Sequence, residues 1–318
     1  MAAGHCVVLC FYGAARDGRG REALAALGAL AGAYEPAVLR VFGVTTDPDD
    51  AADPALRPGG CMFHFADFDG RACRMFGVAP RHGAFTLTSL RRCWFVLDMR
   101  LRVIGIFPLD AQGNAACLHF VHMAVESLGG HGHAPVVVIP NVFEPEFCRR
   151  LIRLHAASRK TDSAILTDGA AVTDHAFKRR SDCRIADAAL AAQAQTRIFR
   201  RVVPEIRHVF QFEATKMERL IVACYDAEDD GRFGAHRDNT VRQTAHRRFA
   251  VSITLNDDFV GGELSFPEYD RRGLQPPAGG ALVFSCSLLH AVAPVTQGRR
   301  YACLPFVYDD AAAALRRE

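Results

Sequence analysis

The chain has 318 residues, 50% of them hydrophobic, with 38 Lys and Arg against 35 Asp and Glu and a formal charge of +3. This balance is ordinary and does not mark a dedicated nucleic-acid binder, which carries a stronger basic bias or stripe. The length exceeds the size at which a single core usually keeps growing, so two domains are expected.

In chain order, residues 7–12 read as a buried strand, 21–34 as an alanine- and leucine-rich helix, 38–44 as a second strand, and 92–97 and 103–107 as a later strand pair. This is an α/β rhythm. Cys-Phe-Tyr-Gly-Ala-Ala from Cys10, Phe-Ala-Asp-Phe-Asp-Gly from Phe65 and Cys-Trp-Phe-Val-Leu-Asp from Cys93 make residues 1–128 resemble the peroxiredoxin branch of the thioredoxin fold. The resemblance implies a proline, a threonine or serine, and a nucleophilic cysteine near positions where this chain has Gly13, Asp17 and Gly20. Peroxide reduction needs a thiolate whose pKa is lowered at a helix start. The expectation is therefore a peroxidase-inactive domain, with Cys6 and Cys10 as buried structural thiols.

The pattern breaks at Gly129, Gly130, His131, Gly132 and His133, read as a linker rather than a metal site. A strand over 136–139 and a helix over 145–154, opening with proline and acidic residues, follow it. The segment 177–182 is a basic cluster read chiefly as a solvated loop, with Arg179 and Arg180 as secondary candidates for contact with an acidic substrate. Residues 220–225 are rich in β-formers and end at an acidic, glycine-containing turn. Phe249, Val251, Ile253 and Leu255 alternate with Ala250, Ser252, Thr254 and Asn256, the period of a strand with one packing face and one smaller, more polar face. Gly261 and Gly262 are expected to turn a hairpin before Leu264. Runs at 281–285 and 301–308 complete a set of short strands that implies a sandwich or barrel, and alanines near Ala311 with Arg316 and Arg317 read as a short terminal helix.

His236 and Asp238 are separated by one residue, and on an extended strand that spacing puts both on one face with Arg237 pointing away. His290 would complete a two-histidine, one-carboxylate triad, which leaves coordination sites open on a ferrous ion. The sequence His-Arg-Asp-Asn from His236, preceded by Val-Ala-Cys-Tyr ending at Tyr225 and followed by Thr-Leu-Asn and Gly-Gly-Glu-Leu-Ser-Phe-Pro, makes residues 135–308 resemble the prolyl 4-hydroxylase branch of the iron and 2-oxoglutarate dependent dioxygenases.

That resemblance implies a double-stranded β-helix, or jelly roll, with flanking helices over 135–318. It implies Fe(II) on His236, Asp238 and His290, with 2-oxoglutarate and dioxygen as co-substrates and ascorbate as an accessory reductant. Arg300 would pair with the distal carboxylate of 2-oxoglutarate, a role for which an arginine fork is suited and for which Arg299 is the competitor. Tyr225 and Thr254 would help to bind the co-substrate, while Asn239 and Asn256 read as turn residues. The presence of Asp238 favours hydroxylation over halogenation, because related halogenases lack the carboxylate. The expected substrate is a prolyl or related residue in a protein, with a peptide or small molecule still open. A bifunctional thiol peroxidase and oxygenase, and a non-catalytic sensor of iron or 2-oxoglutarate, are the competing readings.

Eleven cysteines at irregular spacing, several inside apolar strands, read as reduced thiols rather than a disulfide framework. With no basic leader before Arg16 and no apolar run of bilayer length, a cytoplasmic protein without a membrane partner is expected.

Overall fold

The computed structural model describes residues 2–56, 59–82, 86, 89–127, 133–158, 161–167 and 170–315. The expected glycine-rich linker lies largely outside the described residues, as do Arg316 and Arg317. The chain divides into two compact units, 1–133 with Pro267–Asp270, and Ala134–Phe266 with Arg271–Glu318. Among the described residues no helix is long and apolar enough to cross a membrane.

The first unit is built on five strands in the order Met62–Ala66, Leu39–Thr45, Cys6–Gly13, Cys93–Leu97, Val103–Pro108. The first three run parallel, Cys93–Leu97 runs antiparallel to them, and Val103–Pro108 runs antiparallel to Cys93–Leu97 and so in the direction of the first three. The central strand is buried almost throughout, as its unbroken apolar run requires of a strand covered on both faces. Helix Gly18–Ala33 begins three residues earlier than its apolar pattern, because Asp17 caps it by accepting from Gly20 N–H at 2.7 Å. Its Ala23, Leu27 and Leu30 join the core formed with Val8, Val41 and Trp94.

The second unit holds two sheets. The larger runs Lys216–Glu218, Phe306–Tyr308, Phe249–Thr254, Val295–Cys303, Ile221–Asp226, Ser181–Arg184, Thr161–Asp162, and Ala281–Ser285 carries Val136–Ile139 beside Phe249–Thr254. The smaller runs Lys178–Arg179, Arg232–His236, His290–Val292, Leu264–Phe266, Asp270–Leu274. Their inner faces enclose one cavity, giving the jelly roll. Helices Pro145–Ala157 and Ala188–Arg201 pack on the larger sheet, burying Phe147 and Leu151 from one and Leu190, Ala194 and Ile198 from the other. The second of these helices was not anticipated. Its signal was present in the sequence: Asp187 caps it from Ala189 and Leu190 N–H, and its buried residues recur every four positions.

Two expectations are corrected here. Gly261 and Gly262 do not turn a hairpin. Phe259–Gly261 pairs with the larger sheet and Leu264–Phe266 with the smaller one, so the glycines carry the chain across the mouth of the sandwich. Both have positive φ, and a Cβ on Gly261 would lie 2.3 Å from the Pro294 carbonyl oxygen. Strand Phe249–Thr254 has the two faces its alternation suggested, and both are buried, with Ala250 and Ser252 of the smaller face lining the cavity. The basic segment near residue 178 is not a solvated loop: Lys178 and Arg180 are buried, and Arg179 alone among these three is turned outward, with Nε donating to the His175 carbonyl.

Candidate metal and co-substrate site

The site is assembled by register. His236, the last residue of its strand, stands opposite His290 across the antiparallel ladder of the smaller sheet. Asp238 lies just beyond the strand, in the turn, and not on the extended segment that its spacing suggested; its N–H donates to the Cys286 carbonyl at 3.0 Å, which fixes the turn. The carboxylate still reaches both imidazoles, with Oδ1 3.6 Å from His236 Nε2 and Oδ2 3.3 Å from His290 Nε2. The ligating atoms of the three residues all lie within 4.8 Å of one another.

The ring orientations are set by the backbone. His236 Nδ1 donates to the Gly234 carbonyl at 2.8 Å and His290 Nδ1 to the Leu288 carbonyl at 3.0 Å, because a carbonyl can only accept. In the neutral rings this leaves each Nε2 lone pair directed at the shared space. Burial, together with the nearby His236, pushes His290 down to about 4, so it is neutral at ordinary pH. Burial alone would raise Asp238, but His290 and His236 outweigh it and hold the carboxyl well below the usual range. Phe233 stacks on His236 with ring centroids 3.5 Å apart, and Phe284 lies 4.6 Å from His290. Two imidazoles and a carboxylate with no thiolate suit a ferrous ion better than a structural zinc site. Burial keeps the neighbouring Cys286 a thiol.

The cavity above the triad has a volume of about 50 Å³ and is lined by both sheets. Tyr225 and Arg300 face each other in register on neighbouring strands, and the Arg300 guanidinium carbon is 5.1 Å from the tyrosine ring centroid. Arg300 is fully buried. Its Nη2 meets Ser252 Oγ at 3.4 Å, while Nε and Nη1 have no hydrogen-bond partner among the described residues. A buried guanidinium with orphaned donors is costly unless an acceptor arrives, and a carboxylate of a bound acid supplies one. Arg299 turns the other way, with Nε 2.6 Å from Asp226 Oδ2.

Thr254 is fully buried, and its Oγ1 has no partner among the described residues, but it is not among the residues lining the cavity; Ser252, one pleat back on the same face, is. Thr254 pairs with Ala302, two residues from Arg300, and Ser252, which the sequence reading had not singled out, adds a hydroxyl 3.4 Å from the guanidinium. Asn256 Oδ1 accepts from Tyr301 N–H and Asn239 Nδ2 donates to Ser287 Oγ, so both act on local chain geometry.

Two further arginines line the cavity. Arg180 is clamped: Nε is 2.8 Å from Asp182 Oδ1, Nη2 donates to Asp182 Oδ2 and to Ser163 Oγ, and Nη1 donates to the Tyr225 hydroxyl oxygen at 3.1 Å. Arg219 enters from the loop before strand Ile221–Asp226. Arg180 was only a secondary candidate from sequence, and Arg219 was not singled out. What was missing was the fold of segment 177–182 under the sandwich.

Comparison with known proteins agrees with this geometry. Residues 220–308 match the model of the 2OG-Fe(II) oxygenase superfamily. A PKHD-type hydroxylase of Xanthomonas axonopodis pv. citri is 30% identical over 179 residues, covering 52% of this chain and 75% of the relative. A PKHD-type hydroxylase of Synechococcus sp. is 33% identical over 95 residues, 28% of this chain and 42% of the relative, so this chain spans under half of that protein. A prolyl hydroxylase of Trichoplax adhaerens, solved with a hypoxia inducible factor peptide fragment, aligns with a TM-score of 0.47 at 18% identity over 65% of this chain and 96% of that one. The triad, the orphaned donors of Arg300 and the matched segment lead to one assignment: this chain belongs, through its C-terminal unit, to the 2OG-Fe(II) oxygenase superfamily, with Fe(II) and 2-oxoglutarate as its metal and co-substrate.

Proposed function

We propose that the C-terminal unit hydroxylates a prolyl or related residue of a protein, with release of succinate and carbon dioxide. The observation that carries this reading is the meeting, in one cavity, of a two-histidine, one-carboxylate cluster and a buried arginine with two unpaired donors. When bound, iron and 2-oxoglutarate supply the oxidising power. The chain's own residues bind, orient and exclude. His236, Asp238 and His290 would hold the metal, their rings fixed by the Gly234 and Leu288 carbonyls. Arg300 would take the distal carboxylate of the co-substrate. Tyr225 accepts from Arg180, so its own phenolic proton must be directed elsewhere, and the co-substrate is a suitable acceptor. Phe233, Leu264, Phe284 and Val292 wall the cavity with apolar surface that keeps water from competing for it.

The N-terminal unit is read as a thioredoxin-like domain of the peroxiredoxin type without its nucleophile. Its mixed five-stranded sheet, with Cys93–Leu97 running against the other four strands, supports the fold. Inactivity is supported at Gly20, the position aligned with the catalytic cysteine, where a Cβ would lie 1.8 Å from the Ala14 carbonyl oxygen. Cys10 is buried, and burial with the neighbouring Cys117 and Cys93 pushes its thiol up, away from thiolate. The thiol-peroxidase alternative therefore has little to support it. All eleven cysteines are free and buried, which supports a reducing, cytoplasmic setting.

The test compares peptides from cells carrying the intact protein with those from cells carrying His236→Ala, searching for one added oxygen atom. We expect a product that needs His236 and forms in step with succinate, and we expect the variant to lose bound iron. Succinate without any oxygenated product, or products that persist in the variant, would overturn the reading in favour of a sensor or another substrate class.

A further inference from the structure

We propose that Arg219 receives an acidic side chain of the peptide substrate, next to the residue that is hydroxylated. This rests on the proposed peptide hydroxylation and names the part of the peptide that the cavity selects.

The argument is one of partner assignment. Three guanidinium groups line the cavity, those of Arg180, Arg219 and Arg300, against one carboxylate, that of Asp238. Asp238 lies between the two imidazoles of the triad. Arg180 is closed onto Asp182 through two parallel contacts at 2.8 and 2.9 Å. Arg300 has its donors turned to the co-substrate end, beside Tyr225 and Ser252. Arg219 is left over.

The carboxylates near Arg219 are already engaged. Asp182 Oδ2 accepts from Ser163 at 2.6 Å and from Arg180, and it meets Arg219 Nη2 only at 3.5 Å. Glu218, the preceding residue, gives Oε1 to Arg247 at 2.7 Å and Oε2 to His246 at 2.9 Å. Among the described residues the 3.5 Å contact is the one ion pair Arg219 makes. Its side chain keeps 27% of its surface accessible, and its guanidinium carbon lies 5.5 Å from the ring centroid of Phe306, which also lines the cavity. The group is thus neither saturated nor closed off.

Two observations indicate that this placement is costly. Arg219 has φ of +59°, the left-handed region that a long side chain rarely adopts, and such outliers cluster at ligand clamps. Burial, with Arg180 and Arg247 nearby, lowers its pKa to about 10 despite the opposing pull of Asp182 and Asp238. Iron(II) and 2-oxoglutarate carry equal and opposite charges and leave the cavity's excess of guanidinium groups in place. An acidic group arriving with the substrate would remove it, and an arginine fork meets a carboxylate with geometric selectivity.

The experiment supplies the full chain, loaded with iron(II) and 2-oxoglutarate, with an equimolar pool of synthetic single-proline peptides whose flanking positions carry Glu, Gln or Lys. Oxygenated products are counted by mass and succinate is measured in parallel. The intact protein should favour Glu over Gln flanks by about tenfold, a difference typical of one charge-assisted contact. Arg219→Gln should flatten the preference and Arg219→Glu should turn it toward Lys. If thermal melting shows Arg219→Gln to be misfolded, Arg219→Lys, which keeps the charge, carries the comparison and should retain the preference for Glu. Hydroxylation that ignores flank charge, or a Glu preference that survives the loss of charge at 219, overturns the assignment while leaving peptide hydroxylation intact. Succinate formed with no peptide oxygenated in any class defeats peptide hydroxylation itself, and this inference with it.

Discussion

Arg299 and Arg300 are chemically identical neighbours on one strand, and the pleat sends one to solvent and the other into the cavity. Among the described residues Arg300 makes no ion pair, so its charge awaits the co-substrate. Truncating one member of a buried charged pair costs about 2–5 kcal/mol, so Arg300→Ala should weaken 2-oxoglutarate binding by about thirtyfold or more in calorimetry under nitrogen. Because the unliganded guanidinium is itself a burden, the variant without co-substrate should melt no lower than the intact protein, and 2-oxoglutarate should raise its melting temperature far less. Unchanged affinity would move the role to another residue. Lys178 offers a pH test. Burial, aided by Arg180 and Arg219, pushes it down to about 6. A depressed lysine means that the unfolded chain holds a proton the folded chain lacks, between that value and the ordinary ~10.4. Stability linked to this group therefore rises with pH across that window, and the whole penalty is present below it. Lys178→Met should stabilise by a few kcal/mol, on the order of 2–3 after allowing for partial solvation, most strongly near pH ~6 and fading toward pH ~10. A denaturant series over that range would show it, and a gain independent of pH would refute the cause.

At the scale of elements, the crossing at Gly261 and Gly262 links backbone conformation to the site. A Cβ on Gly262 would stand 2.7 Å from Arg300 Cδ, at a φ of +72°. Gly262→Ala should therefore do two things: lower stability by about 1–2 kcal/mol through left-handed strain, and raise the KM for 2-oxoglutarate by displacing Arg300 while leaving iron content unchanged. A loss of stability with an unaltered KM would show that the contact relaxes without moving the guanidinium. The sequence made most elements legible. Pro145 marks a helix start and the alternation after Phe249 marks a strand, while the Asp17 cap that starts the first helix was not read. It misplaced the double glycine because a Gly-Gly pair signals positive φ without saying whether the chain turns back on itself or passes to the facing sheet. It also placed Asp238 on a strand, since i,i+2 spacing reads alike on an extended segment and at the start of a turn.

For the whole molecule, the division into two units is visible in composition and rhythm, and each unit has its own core. All eleven cysteines are buried thiols. Under native conditions a thiol-specific colorimetric reagent should titrate close to none of them within minutes, and all eleven should react in denaturant without prior reduction. Rapid native labelling of one thiol would revive the peroxidase alternative.

The sequence alone determined the ligand types, their order along the chain, the arginine after His290 and the strand-rich character of the second unit, because these depend on residue identity and short-range spacing. It also held the oddity of Gly20 where a nucleophile was expected. Only the tertiary structure decided which arginines share the cavity, that Ser252 lines it and meets Arg300, and that Arg180 and Arg219 are part of the site. Those facts depend on strand register and on the closure of two sheets over one another, and register is set by cooperative packing among residues far apart in sequence.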